Sequence, residues 1–218
     1  MEVKIKDHVL HIYNENDNDK VILWIMGQHE RHYLDFLSRN LNCLLVAFEV
    51  KNWNDDLSPW YAPAVFKNDD FQGNGQQTYQ IITNDIIPYL QLHYQYDKIY
   101  IAGYSLAGLF SLYVFHRCDL FAGVASCSGS LWYKDFDEFV KQYPKMNKKI
   151  YLSLGDKENQ TRNQIMASVK DKTEKLYQIY KINNLCIYKL NKGNHFQDVN
   201  CCMLEGMLWL LEEGENKQ

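Results

Sequence analysis

The stretch that decides the fold is Ile99-Tyr-Ile-Ala-Gly103-Tyr-Ser105-Leu-Ala-Gly108-Leu-Phe-Ser-Leu-Tyr113. A short apolar run ends at Gly103, a serine follows two residues later, and a helical rhythm begins at once with Leu109, Leu112 and Tyr113 on one side. Gly103-Tyr-Ser105-Leu-Ala107 follows the pattern G-x-S-x-G with alanine in the last place, and a pattern of this kind is common by chance. Between a strand and a helix it has a steric meaning. The serine sits on a sharp turn with strained backbone angles, so the residues two away on either side must be small. Such a turn lifts the Ser105 hydroxyl above the carboxyl end of a sheet. It also opens the next helix with backbone N–H groups that have no partner and can face a developing anion.

Outward from this block, strands and helices alternate. Residues 3–13 read as one strand and residues 15–20 as a polar turn. Further short apolar runs cover 21–26, 44–50, 97–102, 123–127, 150–154 and 185–190. Continuous apolar runs of this length suit strands buried on both faces, as in a parallel sheet. Helical patterns lie between them at 31–39, 78–92, 106–117, 135–143, 162–181 and 199–213, and Pro88 is expected to bend or end the second. The reading is an α/β fold: one mostly parallel central sheet with helices on both faces. The 218 residues hold no internal repeat and no Pro/Gly linker, so one domain over 1–218 is expected.

Residues 51–75 break the alternation. They carry Trp53, Trp60, Tyr61, Phe66 and Phe71 among polar side chains. A long irregular stretch inside a compact domain is usually functional, here as a wall over a cleft. It also gives a place to part of a high aromatic content, 14% with 16 Tyr and 5 Trp.

Bulk composition excludes several classes. Hydrophobic and charged shares of 46% and 23% argue against disorder. With 23 Lys and Arg against 27 Asp and Glu, and no basic run longer than Lys148-Lys149, nucleic-acid binding is not expected. No apolar stretch approaches the ~20 residues of a membrane span. The first residues alternate like a strand and lack the apolar region of a signal peptide. The six cysteines sit mostly in apolar segments with no C-x-x-C pair, so a reducing, cytoplasmic setting is expected.

A serine hydroxyl needs a base. Of seven histidines, only His195, in Gly193-Asn-His195-Phe196, lies after the last strand pattern and before the last helix. In strand–turn–helix hydrolases the order is nucleophile, acid, base. The acid should then follow the strand at 150–154, where Gly155-Asp156-Lys157-Glu158 offers two carboxylates. Glu158 is favoured by its extra methylene, and Asp156 is the alternative, with the loser capping a helix or facing solvent. The oxyanion donors should be the backbone N–H of Leu106 and one from Gly27-Gln28-His29, either Gln28 or Gly27. His29 and His32 would share a helix face, but no H-E-x-x-H is present and no metal is expected. No glycine-rich loop follows the first strand, and no cofactor is expected.

Together, the block 99–113, Ser128-Gly-Ser-Leu-Trp132-Tyr133, Leu154-Gly-Asp-Lys-Glu158 and Gly193-Asn-His-Phe196 resemble esterases of the α/β-hydrolase superfamily. More narrowly they are similar to the group of esterase D-like proteins and siderophore (enterochelin, salmochelin) esterases. Asp56-Leu-Ser-Pro59 looks like that group's D-x-[ST]-P element beside the active site. The resemblance implies a single-domain α/β-hydrolase without a large cap, with Ser105 as nucleophile, His195 as base and Leu106 as oxyanion donor. It leaves the acid open, since that position varies in the group. Substrate contacts are expected from Trp53, Asp56, Trp60, Tyr104 and Trp132. The partner is a small-molecule ester, and monomer and homodimer remain equal alternatives. The acidic side chains Asp55, Asp56, Asp69 and Asp70, against Lys51 and Lys67, disfavour an anionic iron–catecholate. A small neutral acyl, aryl or sugar ester is preferred, and a thioesterase, a peptidase or a non-catalytic binding domain are the rivals.

Overall fold

The structure, a computed structural model, describes residues 1–15, 19–65 and 69–213. Eight strands form one sheet: β1 (Glu2–Ile5), β2 (His8–Tyr13), β3 (Lys20–Gly27), β4 (Leu44–Val50), β5 (Lys98–Tyr104), β6 (Gly123–Cys127), β7 (Lys149–Gly155) and β8 (Leu185–Asn191). Their order across the sheet is β1-β2-β4-β3-β5-β6-β7-β8. The first two pairings, β1 with β2 and β2 with β4, are antiparallel, and every other pairing is parallel.

Side chains alternate between the two faces of the sheet, and both faces are covered. Ile99 and Ile101 of β5 face one core, together with Val124 of β6. That core is closed by α3 (Gly75–Ile81), α4 (Ile87–His93), α5 (Ser105–Arg117), α6 (Phe136–Gln142) and α8 (Val169–Tyr180). Tyr100 and Ala102 face the other core, under α1 (Leu34–Asn40) and α9 (Val199–Leu211). Two short helices, α2 (Trp53–Asp56) and α7 (Gln164–Ala167), lie in connections. The alternation expected from the sequence is therefore the architecture of the molecule.

Several boundaries differ from the sequence reading. Residues 3–13 form a hairpin, because Lys6 takes a left-handed backbone (φ 52°) and the pairing Ile5↔His8 leaves a two-residue turn. The polar run Lys6-Asp7-His8 is the mark of that turn in the sequence. Pro88 neither ends nor breaks its helix. It lies in the first turn of α4, directly after a wide π turn at Ile82–Ile86. A proline has no N–H and presses on the carbonyl four residues back, so a widened turn there lets the helix pass. The helix read at 162–181 is two pieces, and the Asn163 side chain caps the first by accepting from Ile165 N and Met166 N.

Residues 51–75 contain α2, an isolated bridge Ala62↔Phe71 and a small core of Leu57, Ala62 and Phe71 that joins the main one. Phe66 and Lys67, read as part of this wall, lie outside the described residues. No inserted domain interrupts the alternation elsewhere among the described residues. No helix among them is long and apolar enough to cross a membrane. The six cysteines are unpaired thiols.

Candidate active site

The turn from β5 into α5 carries Ser105 with φ 56°, a left-handed backbone disfavoured for a residue with a Cβ. Crowding explains the flanking glycines. A Cβ on Gly103 would lie 2.3 Å from the Ala107 carbonyl oxygen, and one on Gly108 would lie 3.0 Å from Gly103 O and from Ser126 Oγ. The backbone of the turn has no slack for either.

His195 reaches this serine from the loop between β8 and α9. Its Nε2 lies 2.9 Å from Ser105 Oγ, and its Nδ1 lies 2.7 Å from Glu158 Oε2. The Glu158 side chain is 4% exposed and that of His195 28%, so one end of the chain of hydrogen bonds is buried and the other opens to solvent. The second oxygen of Glu158 accepts from Ser128 Oγ and from Gly155 N, each at 2.7 Å. Burial pushes the Glu158 carboxyl up. The His195 ring outweighs it through its hydrogen bond and charge, helped by the two donors on the second oxygen, and the net value falls below the usual carboxylate range. Glu158 is thus ionised at neutral pH. Its contribution to stability is complete above the unfolded-state pKa and is lost as pH falls through the lower folded-state value.

Asp156 is not at the histidine ring. It is exposed, and its Oδ1 accepts from Gly193 N at 2.9 Å. With Lys157 N donating to Gly193 O at 3.0 Å, it fastens the histidine loop to the end of β7. It faces solvent but caps no helix.

The two candidate oxyanion donors before the first helix are also told apart. Gly27 N donates to Glu30 Oε2 at 3.0 Å, the side-chain-to-N-cap half of a capping box, so that N–H is spent. Gln28 opens the 3-10 turn Gln28–Tyr33, and Leu106 is the second residue of α5. First-turn N–H groups have no carbonyl within their own helix. Glu30 is buried, and burial pushes its carboxyl up to about 8 despite the Gly27 N–H, so it is neutral at pH 7. The capping spacing is its signal in the sequence.

Three expected substrate contacts have polar atoms engaged within the protein. Tyr104 is buried, and its hydroxyl donates to His195 O at 2.7 Å, which steadies the histidine loop. Burial pushes that hydroxyl well above its ordinary pKa, so it remains a donor. Asp56 accepts from Lys51 N at 3.1 Å and Asn52 N at 2.9 Å and closes its own loop. Trp60 donates from Nε1 to Lys134 O at 3.0 Å and packs among Tyr133, Phe136 and Phe139, which anchors the wall. In each case the partner is distant in sequence or lies in the residue's own turn.

Trp53 and Trp132 are half-buried. Trp53 stands edge-on to His29 at 4.7 Å, beside Gly27, and Trp132 lies 6.1 Å from Phe71. Phe196, adjacent to the histidine, is 87% exposed with its ring edge-on to His195 at 5.2 Å. No group of three His, Cys, Asp or Glu residues that could hold a metal occurs among the described residues.

Known proteins match this arrangement at two levels. A search of curated protein sequences finds no match. Among solved structures, the siderophore hydrolase EstA from Aspergillus nidulans superposes with a TM-score of 0.73 at 15% identity, over 96% of this chain and 92% of that one. An IroE-like serine hydrolase from Shewanella oneidensis gives 0.76 at 13%, over 92% and 74%. The BES protein from Bacillus cereus gives 0.72 at 15%, over 96% and 93%. At such identities the likeness speaks for the shared α/β-hydrolase fold. The sequence itself carries the family: the model described as "Putative esterase" matches residues 13–185, which include Ser105 and Glu158 and stop short of His195. With most of its length matched in this way, the chain belongs to that esterase family and is an ester-hydrolysing enzyme of the α/β-hydrolase fold.

Proposed function

We propose that the protein hydrolyses small carboxylic esters through an acyl-enzyme on Ser105. The observation that carries this is the unbroken chain Glu158–His195–Ser105, with links of 2.7 and 2.9 Å. His195 Nε2 takes the Ser105 proton as Oγ attacks the ester carbonyl. Glu158 accepts from Nδ1–H, which fixes the tautomer and stabilises the imidazolium that forms. The N–H groups of Leu106 and Gln28 receive the oxyanion. His195 then protonates the departing alcohol, and the same base activates the water that releases the acid.

For the substrate, the half-buried faces of Trp53 and Trp132 support an aryl or sugar ester or a short acyl group. EstA is a siderophore hydrolase, but here the segment 51–75 carries Asp55, Asp56, Asp69 and Asp70, a charge balance that opposes a strongly anionic ligand. Six unpaired thiols fit a reducing compartment such as the cytoplasm.

The test is labelling with a fluorophosphonate, followed by peptide mass mapping and an ester, thioester and amide panel. Modification of Ser105 together with fastest turnover of esters is the expected result. No adduct on Ser105 would overturn the acyl-enzyme, and preference for a thioester or amide would change the reaction class.

The oxyanion assignment has its own test in Gln28→Pro. Proline suits the first position of a helix and deletes the N–H together with an exposed glutamine side chain. Gly27 before it is already extended (φ -99°, ψ 165°), as a residue preceding proline must be. Ester turnover is expected to fall by about 10²-fold, with an unchanged melting temperature. Wild-type turnover in this variant would remove Gln28 from the oxyanion site.

A further inference from the structure

Ser128 follows β6 and is the second residue near the site with a left-handed backbone, at φ 46°. Its side chain is not there for want of room elsewhere: the residue is 2% exposed, and its backbone N–H donates to Ser153 O at 2.9 Å. Glycine would satisfy that backbone without strain. A residue with a Cβ in such a conformation persists when its side chain is used, and strain of this kind gathers at functional sites.

The use is visible in the bonds. The Ser128 hydroxyl donates to Glu158 Oε1 at 2.7 Å, on the opposite side of the carboxylate from the histidine. Two residues on, the same turn reaches the nucleophile. Ser130 N donates to Ser105 O at 3.0 Å, and Ser130 Oγ lies 3.5 Å from Ser105 Oγ. One three-residue turn therefore touches both ends of the hydrogen-bonded chain, and the two contacts are independent of His195.

We propose that Ser128 is a positioning residue. Its hydroxyl sets the rotation of the Glu158 carboxylate, and through the turn 128–130 it fixes the acid in register with Ser105. Glu158 then presents Oε2 in the plane of His195 before any substrate binds. Without the hydroxyl, Gly155 N alone holds Oε1, and the carboxylate is free to turn about its last bond. The proposal rests on the Ser–His–Glu reading above.

The test is Ser128→Gly, which relieves the backbone while removing the hydroxyl. Three quantities are read: melting temperature, kcat and KM on p-nitrophenyl acetate, and the downfield proton resonance of His195 Nδ1–H. Expected are a melting temperature at or above wild type, a kcat lower by about tenfold at constant KM, and a displaced resonance. A residue that only supported the fold would move the melting temperature and leave the resonance in place. Wild-type kcat with an unmoved resonance would overturn the role of Ser128 and leave the proposed function standing. A displaced resonance in a protein that turns over no ester would keep the role of Ser128 and overturn the proposed function instead.

Discussion

Ser105→Ala is expected to lower ester turnover by about 10⁴-fold or more while the folded state persists. The size follows from the chemistry. Without Oγ there is no covalent intermediate, and what remains is the contribution of the oxyanion donors and of binding to direct attack by water. Persistence of the fold follows from the local geometry. Alanine keeps the Cβ that this strained turn already accommodates, and the hydrogen-bond contacts of the lost hydroxyl are His195 at 2.9 Å and Ser130 at 3.5 Å. Initial rates on p-nitrophenyl acetate and a thermal melt of the same preparation check the two halves together. A variant that is stable and as active as wild type would show that another group carries the reaction.

The legibility of this site in the sequence varies with how local its causes are. The turn at Ser105 can be read from thirteen or so residues because steric crowding between Gly103, Ala107 and Gly108 is settled within them. The closeness of His195 to Ser105 is legible for a different reason: a mostly parallel sheet brings the ends of β5 and β8 to one edge, so chain order substitutes for distance. Chain order cannot separate Asp156 from Glu158, because both leave the same strand. The choice is made by a tight turn in which Glu158 N donates to Gly155 O at 3.1 Å and carries the longer side chain back over the strand end. The places of Tyr104, Trp60 and Asp56 are not legible for the opposite reason. Their hydrogen-bond partners, His195 O, Lys134 O and the Lys51 and Asn52 amides, depend on how loops fold back, and no periodicity records that. The hairpin at Lys6 has only the short polar run Lys6-Asp7-His8 to mark it, inside a stretch that otherwise reads as one strand.

Glu158→Gln should cost about 10³- to 10⁴-fold in turnover, and Asp156→Asn only a few-fold. The difference is not one of charge alone. The Glu158 oxygen that accepts from Ser128 Oγ and Gly155 N faces two donors. A glutamine must turn its carbonyl to them, since its NH₂ has nothing to give there. The NH₂ group then faces His195 Nδ1 and forces that nitrogen to accept. The ring's proton moves to Nε2, the nitrogen beside Ser105, and the base is blocked by its own tautomer. Because the wild-type carboxyl lies below the usual carboxylate range, it is ionised throughout the neutral range and accepts from the ring at every pH between 6 and 8. Asp156 makes one bond, accepting from Gly193 N at 2.9 Å, and an asparagine carbonyl can accept it equally well. Rates for both variants on one ester, across that range, decide the matter. If Asp156→Asn were the more damaged, the acid would have to reach the ring in a rearrangement of the 192–198 loop, and Glu158 would be its anchor.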